Sequence, residues 1–252
     1  MNFLLAIPGR QDGTTWREFF WLHPEWWTVG LCGVAWALLL WHGLSLSGHL
    51  QQHHELHGQS VFAGEVWRWM LMVAAMMLPL VIDRVQATAE KSLWKRRHRA
   101  IAGFLAGYLL PWLLLGIGVG ALRQISWTHS DAAPALSFVV AVLWHQSWMH
   151  RRALAVCHRI QPLAPVGWRA DLDCLRFGST VGAACVCSCW PLMLGCAFTG
   201  HSLIAMCGGM AVGAAERWWH IPHNRVPLYT ALALASYYVL FALMDRGVTT
   251  AA

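Results

Sequence analysis

Between Gly178 and Met210 the chain carries no Lys, Arg, Asp or Glu. In hydrocarbon the backbone must satisfy its own hydrogen bonds, so a stretch of this kind placed in lipid has to be helical. One crossing takes about 20 apolar residues, and two such templates begin within the stretch, 178–199 and 202–219. The template also fits at 27–47, 66–82, 100–122, 134–150 and 227–245. The sequence therefore predicts an all-α fold, a polytopic transmembrane helical bundle of about seven spans. With 57% hydrophobic and only 12% charged residues in 252, an ordinary soluble domain is excluded.

Lys and Arg in short loops stay on the cytoplasmic side of a membrane. Fifteen of the 18 basic residues fall on one side if the N-terminus is inside, leaving only Arg68, Arg123 and Arg246 outside. This predicts an inner-membrane protein with its N-terminus in and its C-terminus out. The net charge of +6 then reflects the positive-inside bias, with anionic headgroups of the bilayer as partners and no nucleic acid. The opening MNFLLAIPGR lacks the basic start and apolar length of a cleavable signal, so the N-terminus is expected to be retained. Residues 1–26 are read as a cytoplasmic-side interfacial segment rich in aromatics, and 27–252 as one transmembrane domain. Seventeen tryptophans are accounted for mainly as interfacial anchors.

Residues 185–196 read CVCSCWPLMLGC. Successive helical residues are about 100° apart, so Cys185, Cys189, Met193 and Cys196 share a stripe while Cys187 points away. Pro191 removes the amide that would bond the Cys187 carbonyl, and unwinding there is one way to bring a third thiol round. Since Cys32, Cys185, Cys187, Cys189 and Cys207 all lie inside predicted spans, free thiols are expected rather than disulfides.

Other soft donors fall at helical spacing. Met72 and Met76 share one face of the second predicted span, Met70 and Met77 the opposite one, and Met206 and Met210 repeat the spacing in the sixth. In the first outer loop His49, His53 and His57 recur every four residues, a spacing that lets imidazoles of one helix share a metal ion. His201 occupies the turn between the fifth and sixth spans. The predicted topology gathers Met72, Met76, Cys189, Met193, Cys196, His201 and Met206 toward the extracytoplasmic side, and Cys185 extends the same α-helical stripe inward. Each residue type also has a plain packing role in lipid, but a mixed Met, Cys and His set is soft and favours Cu(I) over Zn, and the scarcity of carboxylates argues against Mg, Ca or Mn. The segment 150–176, with His150, Cys157, His158, Asp171, Asp173 and Cys174, matches no zinc-ribbon spacing and is read as structural. Glu216 beside Arg217 reads as an ion pair at an inner span end.

Taken in order, Trp69 to Pro79 with its Ala-Met-Met-Leu-Pro core, Gly107-Tyr108 with Trp112, Cys189-Trp190 with Leu192-Met193, and Met206 followed by Ala215-Glu216-Arg217 resemble a bacterial family of predicted metal-binding integral membrane proteins of undefined function. The resemblance covers residues 65–217 and implies metal binding without a reaction. Where that family has two cysteines before the tryptophan, this chain has Ser188 and Cys189. Where it has a methionine near the turn, this chain has His201.

Three functions are compatible with these features. The first is a copper-binding membrane protein, without activity of its own, that handles copper or serves as accessory subunit of a copper enzyme, partnered by other membrane or periplasmic subunits. The second is a redox or haem-binding subunit using His42 or His145 as axial ligand. The third is a structural subunit whose Cys and Met only pack. No HExxH, GxSxG or phosphate-cradling loop is present, which removes hydrolase and NTPase readings.

Overall fold

The computed structural model describes residues 25–48, 58–93, 96–123, 132–157, 159, 164, 167–218 and 229–240. Among these the chain is all-α: α1 (Trp26–Gly48), α2 (Gly58–Met77), a 3-10 turn (Pro79–Val81), α3 (Ile82–Lys91), α4 (Arg97–Arg123), α5 (Ala132–His145), α6 (Trp148–Cys157), α7 (Trp168–Phe198), α8 (Leu203–Trp218) and α9 (Tyr229–Leu240).

Among the described residues two helices are long and apolar enough to cross a membrane, Arg97–Leu122 and Trp168–Phe198, and a third crossing is available if the pair Phe62–Met77 and Pro79–Lys91, bent by 47°, counts as one. Seven full-length spans are therefore not what the helix lengths give. The predicted 66–82 span is broken at Pro79. The 134–150 span is divided because Ser147 caps a new helix: its Oγ accepts the His150 amide at 3.1 Å, three residues on, as an N-cap side chain does. Counting described residues only, the apolar stretches Trp26–Trp41, Ala133–His145 and Tyr229–Leu240 are shorter than a crossing length.

The longest helix, α7, is the axis on which α4, α5 and α6 pack. It is framed by glycines in the left-handed region, Gly167 at φ +89° and Gly200 at φ +67°. The Gly200 amide bonds the Ala197 carbonyl and the His201 amide bonds that of Cys196, both at 3.1 Å, a Schellman stop that fixes where His201 sits.

The α4–α7 approach depends on facing small-residue motifs, Gly103/Gly107 and Gly178/Gly182. A Cβ on Gly107 would lie 2.1 Å from the Leu175 carbonyl oxygen, and one on Gly178 would lie 2.1 Å from that of Phe104. Backbones in direct contact leave room only for hydrogen at these positions.

Proline-freed carbonyls find indole donors. Pro79 cannot donate to Ala75, whose carbonyl accepts Trp36 Nε1–H at 3.1 Å and the Cys32 thiol at 3.3 Å. Pro191 cannot donate to Cys187, whose carbonyl accepts Trp144 Nε1–H at 2.8 Å. Helix α7 consequently runs on through Pro191 without unwinding, and Cys187 stays exposed. Anchoring is thus an incomplete account of the tryptophans. Trp144→Phe is expected to cost about 1 kcal/mol or more, and much less in a Pro191→Ala background that restores the amide. A double-mutant cycle on thermal midpoints measures the coupling.

Candidate metal centre

The stripe on α7 is buried as its spacing predicts: Cys185, Cys189, Met193 and Cys196 are 0 to 3% exposed. All eight cysteines are free thiols. What the stripe faces is set by α2, α4 and α8. Because Gly178 and Gly182 bring α4 against α7, the Tyr108 hydroxyl reaches Cys185 Sγ at 3.2 Å. Met77, the last residue of α2, places Sδ 4.0 Å from the same sulfur. Cys189 lies one helical turn further along the same buried face, its Sγ 3.3 Å from the Ser188 hydroxyl.

Arg217 enters from α8. Its Nη2 donates to Cys185 Sγ at 2.8 Å and its Nη1 to the Leu80 carbonyl in the proline bend at 2.9 Å, with the residue only 8% exposed. It is therefore not an inner-end snorkelling partner of Glu216. Adjacent helical residues point about 100° apart, and the two side chains serve different neighbours.

Glu216 Oε1 meets Nε2 of both His145 and His150, the latter at 2.9 Å. The two imidazoles stack with centroids 4.4 Å apart. His145 ends α5 and His150 is the third residue of α6, so the Ser147 cap is what folds one ring onto the other. The Nδ1 atoms lie against backbone carbonyls, of Ala141 at 3.2 Å and Ser188 at 3.1 Å. His150 is thus part of a buried cluster rather than a structural loop, and His145 is not a solitary axial-ligand candidate.

Higher on α7, Cys196 Sγ donates to the Ala205 carbonyl of α8 at 3.3 Å. A Cβ on Gly209 would meet Met76 Cε at 2.9 Å and Cys196 Sγ at 3.3 Å, so α2, α7 and α8 converge there with sulfur residues from two of them. Met72, Met76 and Met206 are fully buried in the same core. His201 instead lines a small cavity, about 10 Å³, with Glu65, Trp69, Gly116, Val119, Gly120 and Ala197. His49, His53 and His57 lie outside the described residues, as does the side chain of His42.

The described sulfur set thus includes residues absent from the set that spacing alone selects, Met77 above all, with Tyr108 and Arg217 beside it. Helical spacing puts Met77 on the face opposite Met76, but both are fully buried because α2 has neighbours on two sides, α1 and α4. The available signal is the Met-Met pair itself.

A family model described as PpoB2, copper chaperone, matches residues 66–240, more than two thirds of the chain. The chain belongs to this copper chaperone family. Membership makes copper the metal to test against the donors, and the copper expected from sulfur chemistry agrees with it. No curated protein and no solved structure matches the chain. Within the family's matched segment lie Met77, Tyr108, Cys185, Cys189, Arg217 and the His145, His150, Glu216 cluster.

Proposed function

We propose that this protein is an integral membrane copper chaperone that holds copper(I) on the buried sulfurs of α2 and α7 and passes it to a copper-requiring partner. The observation that carries the reading is the meeting of the Cys185 and Met77 sulfurs beside one buried guanidinium, with Cys189 buried one turn along the same face of α7.

Thiolate and thioether ligands select copper(I). Two sulfurs of a trigonal set with metal–sulfur bonds of about 2.3 Å stand about 4 Å apart, and Met77 Sδ and Cys185 Sγ are separated by 4.0 Å. A coordinating thiol gives up its proton, so a copper(I) ion on two thiolates leaves one net negative charge. Buried and uncompensated, that charge is costly; the Arg217 guanidinium, 2.8 Å from Cys185 Sγ, neutralises it.

Membrane insertion is supported by the outward faces. Leu114, Leu136 and Leu143 are 62 to 64% exposed on α4 and α5, a surface that water disfavours and acyl chains accept. The stripe from Cys185 to Cys196 extends about 16 Å along α7, so copper has a sulfur-lined path toward the His201 end. That end, taken as extracytoplasmic, is where the ion is captured or released. Cargo on such a path fits delivery to, or accessory service of, a copper enzyme in the bacterial inner membrane.

Anaerobic competition between the detergent-purified full-length protein and a chromophoric copper(I) chelator tests the site. Cys185→Ser/Cys189→Ser is expected to bind copper(I) at least about 100-fold more weakly, with unchanged helicity by circular dichroism. Equal affinity and stoichiometry in both proteins rejects the sulfur site. Carbonate-resistant sedimentation with membranes tests insertion separately.

A further inference from the structure

We propose that His145, His150 and Glu216 form a second metal site, a two-nitrogen, one-carboxylate set for a divalent transition-metal cation of the Zn(II) type, separate from the copper(I) sulfurs. The three ligand atoms lie within 4.8 Å of one another. Their side chains are 8%, 3% and 5% exposed.

The hydrogen bonds around the cluster leave it short of positive charge. A carbonyl oxygen can only accept, so the Nδ1 atoms against Ala141 and Ser188 carry the ring protons and donate. Each neutral imidazole then presents a lone pair at Nε2, and both lone pairs face Glu216 Oε1, itself an acceptor. Three acceptors aimed at one another in a buried space need positive charge between them. One extra proton satisfies one ring and leaves the other lone pair against a carboxylate oxygen. Two extra protons put like charges on rings stacked at 4.4 Å. A single metal cation satisfies all three atoms together.

The outer partners have the matching form. Histidine ligands usually donate their second ring N–H to a carbonyl or carboxylate, which fixes tautomer and orientation, and both imidazoles already do so. Two histidines and a glutamate are an established zinc donor set, and imidazole with carboxylate also accepts Cu(II).

The site ties the α5–α6 corner to α8. It also borders the sulfur site: Ser188, whose carbonyl orients His150, has Oγ 3.3 Å from Cys189 Sγ, and Glu216 precedes Arg217. The proposal needs no copper on the sulfurs and stands or falls apart from that reading.

The test uses the full-length protein in detergent, with Cys185 and Cys189 changed to Ser and His49, His53, His54 and His57 changed to Asn, so that neither the proposed copper(I) thiols nor the histidines of the first loop contribute. This background is expected to bind one equivalent of Zn(II), to gain thermal stability in proportion to free Zn(II), as a ligand of the native state does, and, loaded with Cu(II) instead, to give an electron paramagnetic resonance spectrum with coupling to two imidazole nitrogens. Adding Glu216→Gln is expected to weaken Zn(II) binding at least about 100-fold and abolish the thermal shift. A background that binds no Zn(II), or a Cu(II) spectrum without nitrogen coupling, overturns the proposal. The spectrum needs no further variant, so it decides the matter even if the Glu216→Gln protein fails to fold.

Discussion

Gly178→Ala is expected to remove most of the folded protein. The added methyl would sit 2.1 Å from the Phe104 carbonyl oxygen and 2.9 Å from the Tyr108 amide nitrogen, both backbone atoms of α4. A side chain can rotate away from a clash, but a helix backbone cannot. Relief therefore requires separating α4 from α7, the most extensively packed pair in the bundle, with loss of contacts along its length. Ordinary core overpacking costs about 1 to 3 kcal/mol, and this substitution is expected at or above the top of that range. Gly30→Ala is the control: nothing lies within 4 Å of its added Cβ, and exchanging glycine for alanine in a helix gains up to about 1 kcal/mol. Thermal aggregation midpoints of the detergent-purified variants give the comparison, and equal midpoints would show that the helices do not touch as described. The same separation would withdraw Tyr108 from Cys185, so any surviving Gly178→Ala protein is expected to show altered copper binding too.

Arg217→Met is expected to damage both stability and copper retention. Methionine preserves much of the stem, but the variant loses two donors, one to the Leu80 carbonyl at 2.9 Å and one to Cys185 Sγ at 2.8 Å. Leaving the buried Leu80 carbonyl without this partner costs about 1 to 3 kcal/mol. On the functional side, a copper(I) ion on two thiolates loses its neutralising charge, and affinity is expected to fall at least about tenfold. Arg217→Lys restores the charge but not the two-pronged reach. It is therefore expected to recover most of the copper affinity and less of the stability. A chelator competition and a melting curve on the same three proteins separate the two effects; copper affinity unchanged in Arg217→Met would remove the charge-balance argument.

The α7 stripe was legible because it is local. Four residues at helical spacing on an uninterrupted helix must share a face, and Cys185, Cys189, Met193 and Cys196 are all buried. Pro191 invites a different expectation, a distorted turn bringing Cys187 inward. The missing amide is compensated by Trp144, which lies 43 residues away in sequence, and helical order persists. Spacing within one segment carries no information about a donor supplied by another.

The histidine cluster shows the same limit. Serine is a favoured N-cap residue, but inside the apolar run 134–150 nothing marks Ser147 as one, and the sequence reads that run as a single span. That the corner at Ser147 stacks His150 on His145 and aims both at Glu216, on a helix 66 residues further along, follows only from packing. Adjacency in sequence suggests that Glu216 pairs with Arg217, whereas helical geometry sends them to different neighbours.

By itself the sequence determined the all-α class, the apolar outward character, the free thiols and the sulfur-rich stripe, because composition and helical periodicity act within each segment. Tertiary structure alone decided which helices reach crossing length, which sulfur faces Cys185, and where Arg217 and Glu216 point. Those depend on glycine-permitted backbone contact and on donors from distant segments meeting carbonyls that prolines left open. The chemistry of the donors was written in the chain; their assembly into sites required the fold.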